Sequence, residues 1–351
     1  QLRRGESNIL KKSHLLIILT IFSVSFLFPE SIFLEINNFN IGERAFHIDS
    51  GKNYAIIADY QGTIHFVDIF TLEKTEFTQS TLPMGGAYDG EFFYVIDNYN
   101  KEVLKIKNNK VIQKLVLDSK PVNIKLINGE LYILGTNPYK LYILDNNLFV
   151  KKSMVLPVHS PLIRNIGTQV FIPVFDNFQN DVFLTDLLFL IPHNDTYIVN
   201  YNQIEHPIDI VGSNGIIYMV SYYNGNLYRN DFRKQPKIAQ FGKYTTNIEM
   251  YKNYIVGNSL MGGVYYYNLS SGKTDVILEK VPISDISVSP NGQYLYAISH
   301  IENKLFVIDG EDVYQTINTY NYPIDVESPT DNIVLVLCTD SSKLQVIRNF
   351  E

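Results

Sequence analysis

Seven histidines, His14, His47, His65, His159, His193, His206 and His300, are the side chains whose pKa best suits acid–base or metal chemistry near neutral pH. No two of them fall at the short spacing that builds a metal site on one element. Cys338 is the only cysteine, which removes intrachain disulfides, cysteine-held zinc or iron–sulfur centres and C-x-x-C redox chemistry together. There is no G-x-x-x-x-G-K-[ST] phosphate loop, no G-x-G-x-x-G, no H-E-x-x-H and no G-x-S-x-G. In Gly257-Asn258-Ser259-Leu260-Met261-Gly262 the second glycine comes one position too late for a nucleophile elbow, so the segment reads as a turn. The residues therefore assign no catalytic group, no metal ligand and no cofactor.

Binding is better served. Tyrosine (25) and phenylalanine (21) are enriched and tryptophan is absent. Most of these rings should fill the core, but Tyr60, Tyr99, Tyr139, Phe178, Tyr222 and Tyr223 fall between apolar runs, where exposed rings stack on carbohydrate, peptide or unpaired bases. Asp176-Asn177-Phe178-Gln179-Asn180-Asp181 is the most oxygen-rich segment. It lacks the D-x-[DN]-x-[DN] spacing of a calcium loop and reads first as a solvated turn.

The elements that must position these residues follow from a repeat. Units such as HPIDIVGSNGIIYMVSYYNGNLYRNDF from His206 and PISDISVSPNGQYLYAISHIENKLFVIDG from Pro282 share one grammar: a short strand, a turn, an alternating strand, a polar turn and a second alternating strand. Anchors at Arg44, Pro83, Pro121, Pro161, Pro207, Thr246, Pro282 and Pro323 lie 36–46 residues apart. That is the period of a four-stranded propeller blade, and period-two alternation with Asn-Gly and Asp-Gly turns excludes helical repeats. The spacing predicts an all-β β-propeller of four-stranded blades, eight by this count with seven as the alternative. The last unit supplies only three strands, and Ser31–Phe39 (SIFLEINNF) is the spare strand that would complete it and close the ring. The long interval after Pro161 contains the apolar stretch Asp186–Asn194, read as an elongated hairpin or an outer-strand insertion. In such a ring His159 and His206 precede inner strands and His300 occupies a turn, all approaching one face.

Of the 351 residues, 46% are hydrophobic and 19% charged, enough apolar surface for a large core. With Lys+Arg 29 against Asp+Glu 36 the net charge is -7, which disfavours nucleic acid as a partner. At the amino terminus Leu15–Phe28 is an uncharged apolar run of 14 residues behind Arg3, Arg4, Lys11 and Lys12. It is shorter than the ~20 residues of a bilayer span. Residues 1–30 are expected to be an export signal or, lacking a small-residue cleavage site, a signal-anchor holding the chain through residues 15–28. Residues 31–351 are expected to form a single domain in a periplasmic, extracellular or membrane-anchored location.

The units near Pro282 and Pro207 resemble YVTN-type, YncE-like β-propeller repeat proteins. The resemblance is carried by Ser289-Pro290-Asn291-Gly292, Tyr294-Leu295-Tyr296-Ala297-Ile298-Ser299 and Asn303-Lys304-Leu305-Phe306-Val307-Ile308-Asp309, with weaker copies at Tyr94-Val95-Ile96-Asp97, Tyr132-Ile133-Leu134-Gly135 and Tyr218-Met219-Val220-Ser221. No unit spells the full Tyr-Val-Thr-Asn, so the likeness is at superfamily level. It implies an exported or surface propeller that binds or scaffolds a protein, glycan or envelope partner without catalysis. The competing expectation is a propeller enzyme or cofactor carrier, such as a lactonase-like hydrolase or a haem or metal protein. The candidate ligand face comprises Tyr60, Tyr99, Asp176, Asn177, Phe178, His206, Tyr222, Tyr223 and His300.

Overall fold

The computed structural model describes residues 31–51, 53–156, 160, 162–167, 169–179, 182–190, 197–202, 207–213, 215–230 and 237–350. The apolar amino-terminal run and the expectation placed on residues 1–30 lie outside them, as do His159, His193, His206, Asn180 and Asp181.

Among the described residues all regular structure is strand, arranged in eight four-stranded antiparallel sheets, the arrangement of an eight-bladed propeller rather than a seven-bladed one. The first runs through Ala45–Ser50, Tyr54–Asp59, Ile64–Asp68 and Lys74–Phe77, and six more repeat that meander. The eighth takes three strands from the carboxy-terminal unit, Pro323–Thr330, Ile333–Cys338 and Lys343–Phe350, and its fourth from Ile32–Asn40. Ile32 pairs with Phe350 and Asn40 with Lys343, so the first described strand covers the last one.

Burial peaks in the second strands and falls toward the fourth. Second strands such as Tyr54–Asp59, Leu295–Ser299 and Ile333–Cys338 are near-continuous apolar runs, because a sheet wedged between two neighbours buries both faces. Fourth strands such as Lys110–Val116 are mostly exposed. Eight apolar clusters each straddle two successive sheets: Ile56, Ile64 and Phe66 of the first meet Val95, Leu104 and Ile106 of the second. The series returns to its start where Leu335, Leu337 and Val346 of the eighth meet Ile48, Ile57 and Val67 of the first.

Two local features bear on the site. Inner strands that open on proline, at Pro83, Pro121, Pro207 and Pro323, slip register immediately after it. Proline cannot donate to a ladder and so sits at the strand start, and the bulge re-aims the next polar side chain. The second feature corrects an expectation. Asp176, Asn177 and Phe178 are not in a turn but in the strand Gln169–Gln179, whose partner Val182–Leu190 continues the hairpin to Gln179↔Val182 with one irregularity after Phe175. Composition there suggests a bend, yet alternating apolar residues on both arms carry the pairing past it. The elongated hairpin itself is as expected, with strands of 11 and 9 residues where the first sheet has 6 and 5.

Candidate functional site

The inner strands surround a cavity of about 610 Å³. The polar residues of these strands, many of which line it, follow a rule that becomes visible when their sequences are aligned. At or beside the opening of six of the eight inner strands come His47, Asn123, Asp209, Asn247, Asp285 and Asp325, each followed by a fully buried Ile48, Ile124, Ile210, Ile248, Ile286 or Val326. Two residues further on, back on the same side by strand alternation, come Asp49, Lys125, Glu249, Ser287 and Glu327.

Several of these acids have a structural duty. An inner strand is a sheet edge, and its N–H groups need partners. Asp325 Oδ2 accepts from Ile48 N at 2.8 Å, Asp209 Oδ2 from Ile248 N at 3.0 Å, Asp285 Oδ2 from Val326 N at 3.1 Å and Asp49 Oδ2 from Gly86 N at 2.8 Å. Each bond runs from one sheet to the next. Glycine is required beside the last of them, since a Cβ at Gly85 would lie 2.8 Å from the Asp49 carboxylate.

Three cations are interleaved with the acids. Arg164 grips Asp209 with two bonds of 2.7 Å. His47 Nδ1 lies 2.7 Å from Asp325 and its Nε2 3.4 Å from Asp49, which Lys125 also approaches at 3.3 Å. Burial disfavours a charge on His47, but the Asp325 and Asp49 carboxylates outweigh it and raise its pKa well above the ordinary histidine value. Burial also opposes the charge on Asp49, yet Lys125, His47 and the Gly86 N–H pull it down to about 2. Glu249 moves the other way: burial, with Asp209 and Glu327 nearby, pushes it up to about 7 against the pull of Arg164. Asp285 and Glu327 are raised as well, by burial first and then by the Asp325 carboxylate.

These directions set a pH window. The raised pKa of His47 gives stability that is complete below its unfolded value of ~6.5 and is lost as pH rises through its folded value. The depressed pKa of Asp49 gives stability present above ~3.8 and lost as pH falls toward 2. His47→Gln is therefore expected to cost most between pH 5 and 6 and progressively less in alkali. Urea midpoints of both proteins across pH check this, and a pH-independent difference would show that folding does not shift the pKa of His47.

The mouth of the cavity is aromatic. Turns between second and third strands and the links to each following sheet lie at the same strand ends, so they share one face. There Phe46 stacks on Tyr60 with centroids 4.3 Å apart, and Tyr222, Tyr223 and Tyr244 form a group with centroids 5.0–6.1 Å apart. His300 Nδ1 lies 2.6 Å from the Ser284 hydroxyl and its ring meets Tyr322 edge-on at 5.1 Å. Of the residues singled out from sequence, Tyr60, Tyr99, Tyr222, Tyr223 and His300 occupy the connections expected, but only His300 lines the cavity. His206 lies outside the described residues. The channel charges were not anticipated; the signal that marks them is a lone charge at one fixed place in otherwise apolar inner strands. Among the described residues no three His, Cys, Asp or Glu side chains are arranged to hold a metal ion.

Neither a protein-family model nor a curated protein matches the chain. Solved structures do. BamB from Moraxella catarrhalis superposes with a TM-score of 0.68 at 11% identity, over 90% of this chain and 100% of that one. The computationally designed Ika8 protein gives 0.70 at 12% over 90% and 99%, and the C-terminal WD40 domain of Sif2 gives 0.65 at 12% over 90% and 98%. The fold is a β-propeller. At such identities the propeller likeness extends to the backbone alone, and the ligand must be argued from the site.

Proposed function

We propose that this chain is an exported, non-catalytic propeller that binds a protein partner through the aromatic face at the mouth of its channel. In this reading residues 1–30 are the export signal or anchor, residues 31–351 are one domain whose amino-terminal strand closes the ring, and the YVTN-type resemblance is one of kinship.

One observation carries the proposal. Of the exposed aromatic side chains in turns and links among the described residues, Tyr60, Tyr99, Tyr139, Tyr223, Tyr244 and Tyr322 are at this end, joined by Met261 and Ile301, against Phe70 and Phe149 at the other. Apolar rings held in water on one side of a monomer are what a partner surface requires, and tyrosine is among the residues that dominate such interfaces.

Replacing Tyr222 and Tyr223 together by serine is expected to weaken partner binding about thirtyfold, the loss of one interface hot spot, without lowering the melting temperature. Partners recovered from the native host on intact and substituted protein make the comparison. Equal recovery would show that this face is not the one used.

A further inference from the structure

The channel holds more carboxylates than cations, and the excess is localised. Of the six acids on the inner strands, Asp209 is taken by Arg164, Asp325 by His47, and Asp49 by His47 and Lys125. Glu249, Asp285 and Glu327 remain. Asp285 accepts from the Asn247 amide and the Val326 N–H, and Glu327 accepts from the Ser50 hydroxyl. Glu249 has neither a hydrogen bond nor an ion pair among the described residues, although it lines the cavity. Burial is the first cause that raises the pKa of all three, and the cations nearest Glu249 and Glu327, namely Arg164, Lys125 and His47, are already paired with Asp209, Asp49 and Asp325.

The space beside them is of ligand size, since about 610 Å³ falls within the ~300–1,000 Å³ of small-molecule pockets. Phe46, Leu260 and Tyr322 line it at the end where the turns and links lie, alongside Thr246, Ser284 and His300, while Glu249 and Glu327 line it further along the inner strands.

We propose that the channel is a socket for a lysine or arginine side chain presented by the protein partner that docks on the aromatic face. This rests on the preceding reading of that face. A long basic side chain matches both levels of the site: its methylene stem lies along Phe46, Leu260 and Tyr322, and its charged head reaches Glu249 and Glu327. An anion would be repelled by the uncompensated acids, and a neutral side chain would bury them with nothing gained. The aromatic face alone would accept many partners, and the acids further along the channel are what select among them.

Random heptapeptides displayed on phage and selected on the intact protein supply the probe. Selected peptides are titrated against the intact protein, Glu249→Gln/Glu327→Gln and Tyr60→Ala/Tyr322→Ala. The expected result is a shared lysine or arginine whose replacement by norleucine weakens binding about thirtyfold. Glu249→Gln/Glu327→Gln should weaken it about tenfold or more, with a melting temperature unchanged or raised because like charges are removed. Peptides without a basic residue, or equal affinity for Glu249→Gln/Glu327→Gln, would overturn the socket while leaving the docking face standing if Tyr60→Ala/Tyr322→Ala still loses binding. Indifference to both variants, or a selection yielding no peptide, would overturn both. Spermidine binding as tightly as the peptides would identify a site for free polyamines and overturn the partner-borne side chain.

Discussion

Replacing Asp209 with alanine is expected to lower the stability of the protein by about 3 kcal/mol. The side chain is 1% exposed and does two jobs: it takes both arms of Arg164 at 2.7 Å and accepts the Ile248 N–H of the following sheet at 3.0 Å. Its removal leaves a buried backbone donor unmet, at about 1–3 kcal/mol, and an arginine without its counter-charge. Arg164 is 36% exposed to the channel and can turn toward water, which holds the total to the lower end of the range for a broken buried pair. Asp209→Asn keeps an acceptor for Ile248 while losing the charge, so it should cost about half as much. Denaturant unfolding measures both. A loss below about 1 kcal/mol in the alanine variant would mean that the fifth and sixth sheets hold together without this bond.

The second large effect is expected at Phe33. This ring, 1% exposed, sits edge-on to Tyr294 at 5.1 Å and Tyr296 at 6.0 Å, in the cluster between the seventh and eighth sheets. Gln315 of the seventh sheet clamps the same residue by accepting from its N–H at 3.0 Å and donating to its C=O at 2.8 Å. Phe33→Ala should cost about 3–4 kcal/mol through lost transfer energy and the cavity left behind. Deleting the chain through Asn40 removes the whole strand and bares the edge of Lys343–Phe350, so self-association should accompany the fall in melting temperature. Light scattering alongside thermal unfolding separates the two consequences. A truncated protein that stays monomeric and melts as the intact one does would show that the strand is dispensable.

The architecture was legible from sequence because it is written in features that repeat. Alternating strands recur through eight units, six of them anchored on proline and several punctuated by Asn-Gly or Asp-Gly turns, and a three-stranded last unit with a spare strand at the other end admits one economical pairing. The channel was not legible, for a reason that Asp209 illustrates. In its own unit it is one charge in a run of Pro, Ile and Val; the group it serves is a backbone N–H in the next unit, 39 residues away, and no side-chain pattern records that bond. Glu249 is harder still, since its importance lies in having no partner while Arg164, Asp209 and Glu327 surround it. At Asp176-Asn177-Phe178 the opposite error arose: residue types that favour bends were read without the apolar arms of the hairpin that override them.

The pairing of Ile32–Asn40 with Lys343–Phe350 also constrains how the molecule comes into being. Lys343 binds Asn38 across 305 positions of sequence, so the strand Ile32–Asn40 must wait for a partner made 305 positions later. At about 5–20 residues per second that delay is roughly 15–60 s. Throughout that interval the nascent polypeptide is obliged to carry an unmated segment, and the eighth sheet becomes attainable only once Lys343–Phe350 has been made.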